Sequence, residues 1–258
     1  MPVPKVIQVP YRKTSHRYKV IGDERVDEEM LLPTCSSISS YSDNSGANGL
    51  MYWSVNLFQD TGNRLEFKEA GERSMAIGTA LHAEIEQYIS TDAMPKNYSD
   101  LFGAWYSSIN EKGVKFQTTE MGVYHPSLLY GGTLDAIGYV NDVPTLFDWK
   151  TTDQFSLDRD DHGVVKIDPD TGLPKTKKKS FGSIPYAVQL GGYMSALRMM
   201  AERDDSIVIP EQAFIVYVFK DTNKVHWEKV DLVWAEQIFA SCAYLDNVVK
   251  KSKGGLYV

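Results

Sequence analysis

Asp135 is followed thirteen residues later by Asp148-Trp149-Lys150. The first acid falls in the apolar run GTLDAIGYV and the second in PTLFDWKTT, with the short turn NDV between them. This spacing predicts an antiparallel hairpin. On paired strands one side chain from each can point to the same face, which brings two carboxylates together. Two acids on an apolar sheet repel and are costly to desolvate, so a cation usually stands between them. Oxygen ligands of this kind suit Mg2+ or Mn2+. Lys150 is two residues beyond Asp148 and shares its face. An ammonium there can orient an activated water and offset charge building on a phosphate. Phosphodiester hydrolysis needs this set. Alone, D-x-K is a loose pattern, and a strand-end acid beside an exposed cross-strand ion pair is its commoner origin.

The elements around these residues narrow the reading. From Ser74 to Ile89 the apolar residues Ile77, Leu81, Ile85, Tyr88 and Ile89 recur at helical spacing, with Ser74 as the expected N-cap. On that helix His82 and Glu86 are four apart, beside the apolar stripe, and could add an imidazole or a carboxylate to a metal site. A half-buried histidine satisfied by its neighbours is the bland alternative. A second helix is expected from about Leu101 to Lys112, ending at Gly113. Residues 121–125, 128–140 and 144–150 then read as three strands. Between 154 and 182 the turn signal DPDTG predicts an exposed hairpin, inserted at about 158–180 and ending in Lys175, Lys177, Lys178 and Lys179. Ser183 and Pro185 open a helix through about Met200 that carries Gln189 and Tyr193 four apart. Residues 213–219 read as a buried strand, 224–230 as its neighbour and 232–251 as a closing amphipathic helix. Helices flanking a central mixed sheet make an α/β or α+β domain.

The order G-x-x-x-H-x-x-x-E (78–86), G-x-x-D (132–135), a strand ending D-W-K-T-T (148–152) and Q-L-x-x-Y (189–193) resembles the RecB-like branch of the PD-(D/E)XK nucleases. The Ser-rich SSISSY (36–41) adds a weaker match. The likeness spans about 75–195, and its strength is four loose motifs in the right order. It implies a restriction-endonuclease-like core over 74–258, with residues 1–73 an extension packed on it and able to guide a strand. Asp135, Asp148 and Lys150 would be catalytic. Asp135, Asp148, His82 and the Trp149 carbonyl would hold Mg2+ or Mn2+, with Glu86 less securely assigned. Gln189 and Tyr193 would support the catalytic strand near DNA, and the four lysines of the hairpin would contact it. The implied activity is an exonuclease acting on single-stranded DNA or duplex ends, in recombination, repair or replication. A recombination or single-strand-binding protein would be a natural partner. A structure-selective endonuclease of the same fold and a non-catalytic DNA-end-binding accessory protein are the alternatives.

Composition sets the outer bounds. With 258 residues, 43% hydrophobic and 24% charged, the chain can bury a sizeable core. No apolar run approaches the ~20 residues of a membrane span, and no secretory h-region is expected at the start. The basic start could suit a transit peptide, but Pro2, Pro4 and Pro10 argue against an amphipathic helix there, so a bacterial or phage-infected cytoplasm is expected in preference to a mitochondrion. Cys35 and Cys242 are too few for an iron–sulfur cluster or a four-cysteine zinc site. The charge of −7 is the wrong sign for coating DNA, but it permits a local basic channel beside a carboxylate cluster. The first 22 residues carry Lys5, Arg12, Lys13, Arg17 and Lys19 and no acid, which reads as a basic arm or a strand. Tyr52, Trp53, Phe58, Trp105 and Tyr106 could stack on bases, although core packing is the commoner role for each.

Overall fold

Asn141 and Asp142 both adopt left-handed backbone, with φ of 52° and 61°. That is the geometry of a two-residue type I′ hairpin turn, which Asn and Asp tolerate well. The turn fixes the register of the two strands that carry the acids, from Val140↔Val143 to Ala136↔Phe147. The computed structural model describes residues 3–12, 15–43 and 45–255, with backbone alone for 12, 45–50 and 250–255.

In chain order, an antiparallel ribbon of β1 (Lys5–Arg12) and β2 (Ser15–Ile21) comes first. The Thr34 hydroxyl then caps a short helix, α1 (Cys35–Ser39), by accepting from the Ser37 N–H. A 3-10 turn (Ser40–Ser42) leads on to α2 (Ser45–Thr61). Next come α3 (Glu66–Thr91) and α4 (Asp100–Glu111), the latter capped by Ser99. β3 (Lys115–His125), β4 (Tyr130–Val140) and β5 (Val143–Thr152) follow. A small antiparallel pair, β6 (Phe155–Leu157) and β7 (Thr176–Lys178), closes the inserted hairpin. The chain ends with α5 (Ile184–Ala201), β8 (Gln212–Phe219), β9 (Val225–Val230) and α6 (Leu232–Gly255).

The large sheet has the order β3-β4-β5-β8-β9. β5 and β8 are parallel, and the other neighbours are antiparallel. The connection from β5 to β8 contains the inserted hairpin and α5. A parallel pair needs a crossover of this kind.

Each face of the sheet has its own core. On one side α5 and α6, the N-terminal ribbon and α1 enclose Leu146, Ile215, Met194 and Phe239. On the other, α3 and α4 enclose Trp105, Phe147, Trp149 and Val216. Cutting Trp149 back to alanine would cost about 3–5 kcal/mol on the usual scale for a buried aromatic. Helix α5 is apolar nearly all round because it is covered on nearly all sides. Gly191 lets it do so: a Cβ there would lie 2.3 Å from the Ala235 carbonyl carbon, so α5 and α6 meet backbone to backbone.

Three expectations are corrected. Ser74 is not a helix cap, since α3 begins eight residues earlier at Glu66. The first two turns of α3 are largely solvent-facing and carry little apolar periodicity, so the sequence pattern begins late; the Ser74 hydroxyl instead takes the Lys220 ammonium at 3.1 Å. For the same reason, residue 73/74 is no boundary, because an unbroken helix crosses it. The N-terminal residues Tyr18, Val20, Leu32 and Ile38 belong to the main core itself. The inserted hairpin starts at Phe155, slightly before the expected position.

Candidate functional site at the fork between two strands

The ladder between β4 and β5 stops at Ala136↔Phe147, whereas β5 continues beside β8 as far as Thr152↔Phe219. Past Phe147 the two acid-bearing strands therefore part. The Trp149 N–H, left without a ladder partner, donates to Asp135 Oδ2 at 2.7 Å. The Trp149 carbonyl lies 3.1 Å from His82 Nε2 on α3. His82 Nδ1 is in turn 3.8 Å from Asp135 Oδ1. Local sequence explains the break. Leu134 and Ile137, three residues apart, both face the α5 side, so strict alternation slips at Asp135. Glu120, opposite Asp135 on β3 between the pairs Thr119↔Ala136 and Met121↔Leu134, has a φ of 48°.

On β5, alternation places Trp149 in the α3–α4 core and turns Asp148 and Lys150 toward α5. Asp148 is 1% exposed, and its Oδ2 lies 2.5 Å from Lys150 Nζ. Burial pushes the Asp148 carboxyl above the usual range; Lys150 pulls it down and Asp135 pushes it further up. Burial also works against the charge of Lys150, but Asp148 and then Asp135 outweigh it and hold the ammonium on. The Lys150 ammonium stands over the Tyr186 ring, 4.9 Å from its centroid.

A cavity of about 210 Å³ opens on these groups, with Asp135, Asp148, Lys150, Gln189 and Tyr193 in its wall. Gln189 Nε2 donates to the Tyr193 hydroxyl at 2.5 Å. The Tyr193 ring fits because residue 132 is glycine: a Cβ there would come within 2.6 Å of it. The ribbon supplies the opposite wall through Gln8, His16 and Tyr18. On the other side of Asp135 a second opening is lined by His82, Glu86 and Glu120. Here His82, Glu120 and Asp135 bring ligand atoms within 4.8 Å of one another. Glu86 lines the opening but lies outside that close group. Partial burial, then the Asp135 and Glu86 carboxylates, push Glu120 up to about 7, with His82 opposing.

The four hairpin lysines are not equivalent. Lys179 borders a cavity that also contains Lys150, and together with Lys177 it lines a larger one of about 600 Å³ between the hairpin and α2. Lys177 pairs with Asp158 at 3.8 Å and Lys179 with Asp153 at 3.9 Å. Lys178 alternates to the other side of the short strand and is exposed, and Lys175 is half-buried within the hairpin. Arg159 ties this insertion to α2 through Asp60 at 2.5 Å. Tyr52 and Trp53 of α2 line the larger cavity and Phe58 is exposed, whereas Trp105 is fully buried and Tyr106 packs against the same core. Trp105 and Tyr106 are therefore not bases' stacking partners.

Two parts of this site escape the sequence reading. Glu120 lies one residue before the expected strand 121–125. Counting back through the turn that follows His125 would have paired it with Asp135. The ribbon wall carries no local motif at all.

No protein-family model matches the chain, and no curated protein matches it. Among solved structures, one described as "Crystal structure of SSO0001" is similar over 76% of this chain and 71% of that chain, with 15% identity and a TM-score of 0.30. So loose a likeness bears on neither fold nor function. Among the described residues no helix is long and apolar enough to cross a membrane.

Proposed function

We propose that this protein is a divalent-cation-dependent deoxyribonuclease of the PD-(D/E)XK type, an exonuclease on single-stranded DNA or duplex ends. The observation that carries the reading is the fork. There Asp135, Asp148, the Trp149 carbonyl and Lys150 converge where two strands of a mixed sheet separate, with His82 against the same carbonyl. We read the sheet and its two helical layers as a restriction-endonuclease-like core.

The donor set fits Mg2+ or Mn2+. The close group offers two carboxylates and one imidazole, from Asp135, Glu120 and His82; Asp148 lies outside it but shares a cavity wall with Asp135, and Cys35 in that wall is a thiol that burial keeps protonated. Asp148 is buried with a second carboxylate close by, an arrangement a bound cation would relieve. When bound, the cation would supply a nucleophilic water at neutral pH and polarise the scissile phosphate. The chain's own residues do the rest. Asp135 is held in place by the Trp149 N–H, and His82 fixes the orientation of the Trp149 carbonyl. Lys150 stays charged beside Asp148 and faces the cavity, where it can offset charge on the phosphate oxygens. Gln189 and Tyr193 hold the α5 wall. The preference for ends is what the resemblance implies; the Arg159–Asp60 pair, which ties α2 to the inserted hairpin, marks where a strand-guiding passage would lie.

End-labelled linear single strands, linear duplex and closed circles, each with Mg2+, Mn2+ or EDTA, test this reading against an Asp148→Ala control. Metal-dependent loss of linear substrate alone, absent in the control, is expected. Cleavage of circles would make the protein an endonuclease. No cleavage in any lane, with DNA still bound, would leave a DNA-end-binding protein.

A further inference from the structure

A second groove of about 420 Å³ lies between the tip of the N-terminal ribbon and the start of α1. His16, Thr34 and Ser36 line both this groove and the cavity over Asp148, so the two lie side by side across a shared wall. Their chemistry is opposite. The cavity over Asp148 presents carboxylates, whereas the groove is lined by Tyr11, Arg17, His16 and hydroxyls, with no acid. Its volume lies in the range of small-ligand sites.

Arg17 is the cation of this groove. Arg25, Arg73, Arg159, Arg198 and Arg203 each meet a carboxylate, and neighbouring Lys19 meets Glu29. Arg17, like the exposed Arg64, meets none among the described residues. Its guanidinium carbon instead stands 4.8 Å from the centroid of the Tyr11 ring. A guanidinium stacked on a half-exposed tyrosine offers a flat face to a base and N–H groups at its edge to a phosphate. Lys13 and the side chain of Arg12 lie outside what the structure describes.

We propose that this groove binds the nucleotide next to the scissile phosphate in the substrate strand. Its base stacks on the Tyr11–Arg17 pair, and its phosphate is held by Arg17 and His16. The inference rests on the nuclease reading and adds to it the ribbon as the strand's second anchor. The acid-lined cavity would take the scissile phosphate with its cation, and the acid-free groove the neighbouring phosphate without one.

Fluorescence anisotropy with labelled oligothymidylates of two to eight nucleotides, in EDTA and over a salt series, tests it. The parent's affinity should rise stepwise once the oligomer is long enough to fill both cavities. Arg17→Ala and Tyr11→Ala should each lose that step, weakening the longer oligomers by roughly tenfold. Arg17→Ala should also lower the salt slope by about one unit. Tyr11→Phe keeps the ring and should bind like the parent, which separates loss of the stack from loss of the fold. If the parent binds and cleaves DNA but Arg17→Ala and Tyr11→Ala bind all lengths as it does, the groove is not a subsite and the nuclease reading stands. A parent that neither binds nor cleaves DNA overturns both.

Discussion

Lys150 and Asp148 form a buried ion pair with a second carboxylate, Asp135, nearby, and this makes the cost of removing either partner unequal. Asp148→Asn leaves the ammonium with Asp135 still in reach and with 21% of its side chain exposed, so the loss should fall below the usual range for a broken buried pair, at about 2 kcal/mol. Lys150→Met leaves two carboxylates facing each other, one of them fully buried, with no cation, and should cost about 3–5 kcal/mol. The double variant removes both charges from the interior and leaves Asp135 with the Trp149 N–H and His82. Its loss should be no more than about 2 kcal/mol, so the two substitutions should couple by about 3 kcal/mol or more. Urea unfolding in EDTA measures all four proteins. Adding Mn2+ supplies a second readout. The site in Lys150→Met keeps both acids and should regain about 2.7 kcal/mol at a hundredfold excess over its dissociation constant, while Asp148→Asn should regain far less. Simple additivity, or Asp148→Asn costing more than Lys150→Met, would refute this electrostatic account of the site.

Stability should fall between pH 6.5 and 4 because of His125, which is 7% exposed and whose Nδ1 accepts from the Leu128 N–H. Burial lowers its pKa from 6.5 to about 4, so the unfolded chain binds the proton first and up to about 3 kcal/mol is lost as pH drops through that window. Raised carboxylates such as Glu120 act in the opposite direction, so the test is the difference between parent and His125→Gln curves; parallel curves would refute it. Gly191→Ala should destabilise by at least about 2 kcal/mol despite alanine's better helix propensity, because its Cβ would meet the Ala235 backbone; denaturation at or above the parent midpoint would contradict the close helix contact. Arg159→Ala should change global stability by less than about 1 kcal/mol yet speed proteolysis within α2 and the inserted hairpin, and an unchanged cleavage map would show that the Asp60 pair does not hold them together.

The parts of the fold that the sequence announces are those set by local chemistry. The turn at Asn141-Asp142 needs two left-handed residues and has the two polar types that tolerate them. Ser99 and Gly113 bracket α4, and Pro185 opens α5, for equally local reasons. What the sequence hides depends on distance. The first turns of α3 carry Phe67, which packs on Trp53 of α2, and exposed Met75, but no apolar stripe toward the core marks them before Leu81. Glu120 reaches the site only through a register set by β3 against β4, together with a left-handed backbone that no glycine signals. The ribbon wall depends on residues 8–18 returning to residues 132–148, and no periodicity encodes that.

The fork itself shows why a motif can be legible while its geometry is not. Strand alternation predicts correctly that Asp148 and Lys150 share a face and that Trp149 takes the other. Uniform pairing would also hold Asp135 beside Asp148 in a continued ladder, with the Trp149 carbonyl bound to β4 and unavailable. The ladder instead ends one pair earlier, and the Asp135 side chain takes over the N–H that β4 gives up. The backbone hydrogen bond lost from the sheet is thus replaced by one from the acid, at little net cost for a charge-assisted bond. The carbonyl of the same residue is left facing His82. The acid therefore has two roles, closing the end of a ladder and lining the cavity, and only the second could be expected from its residue type.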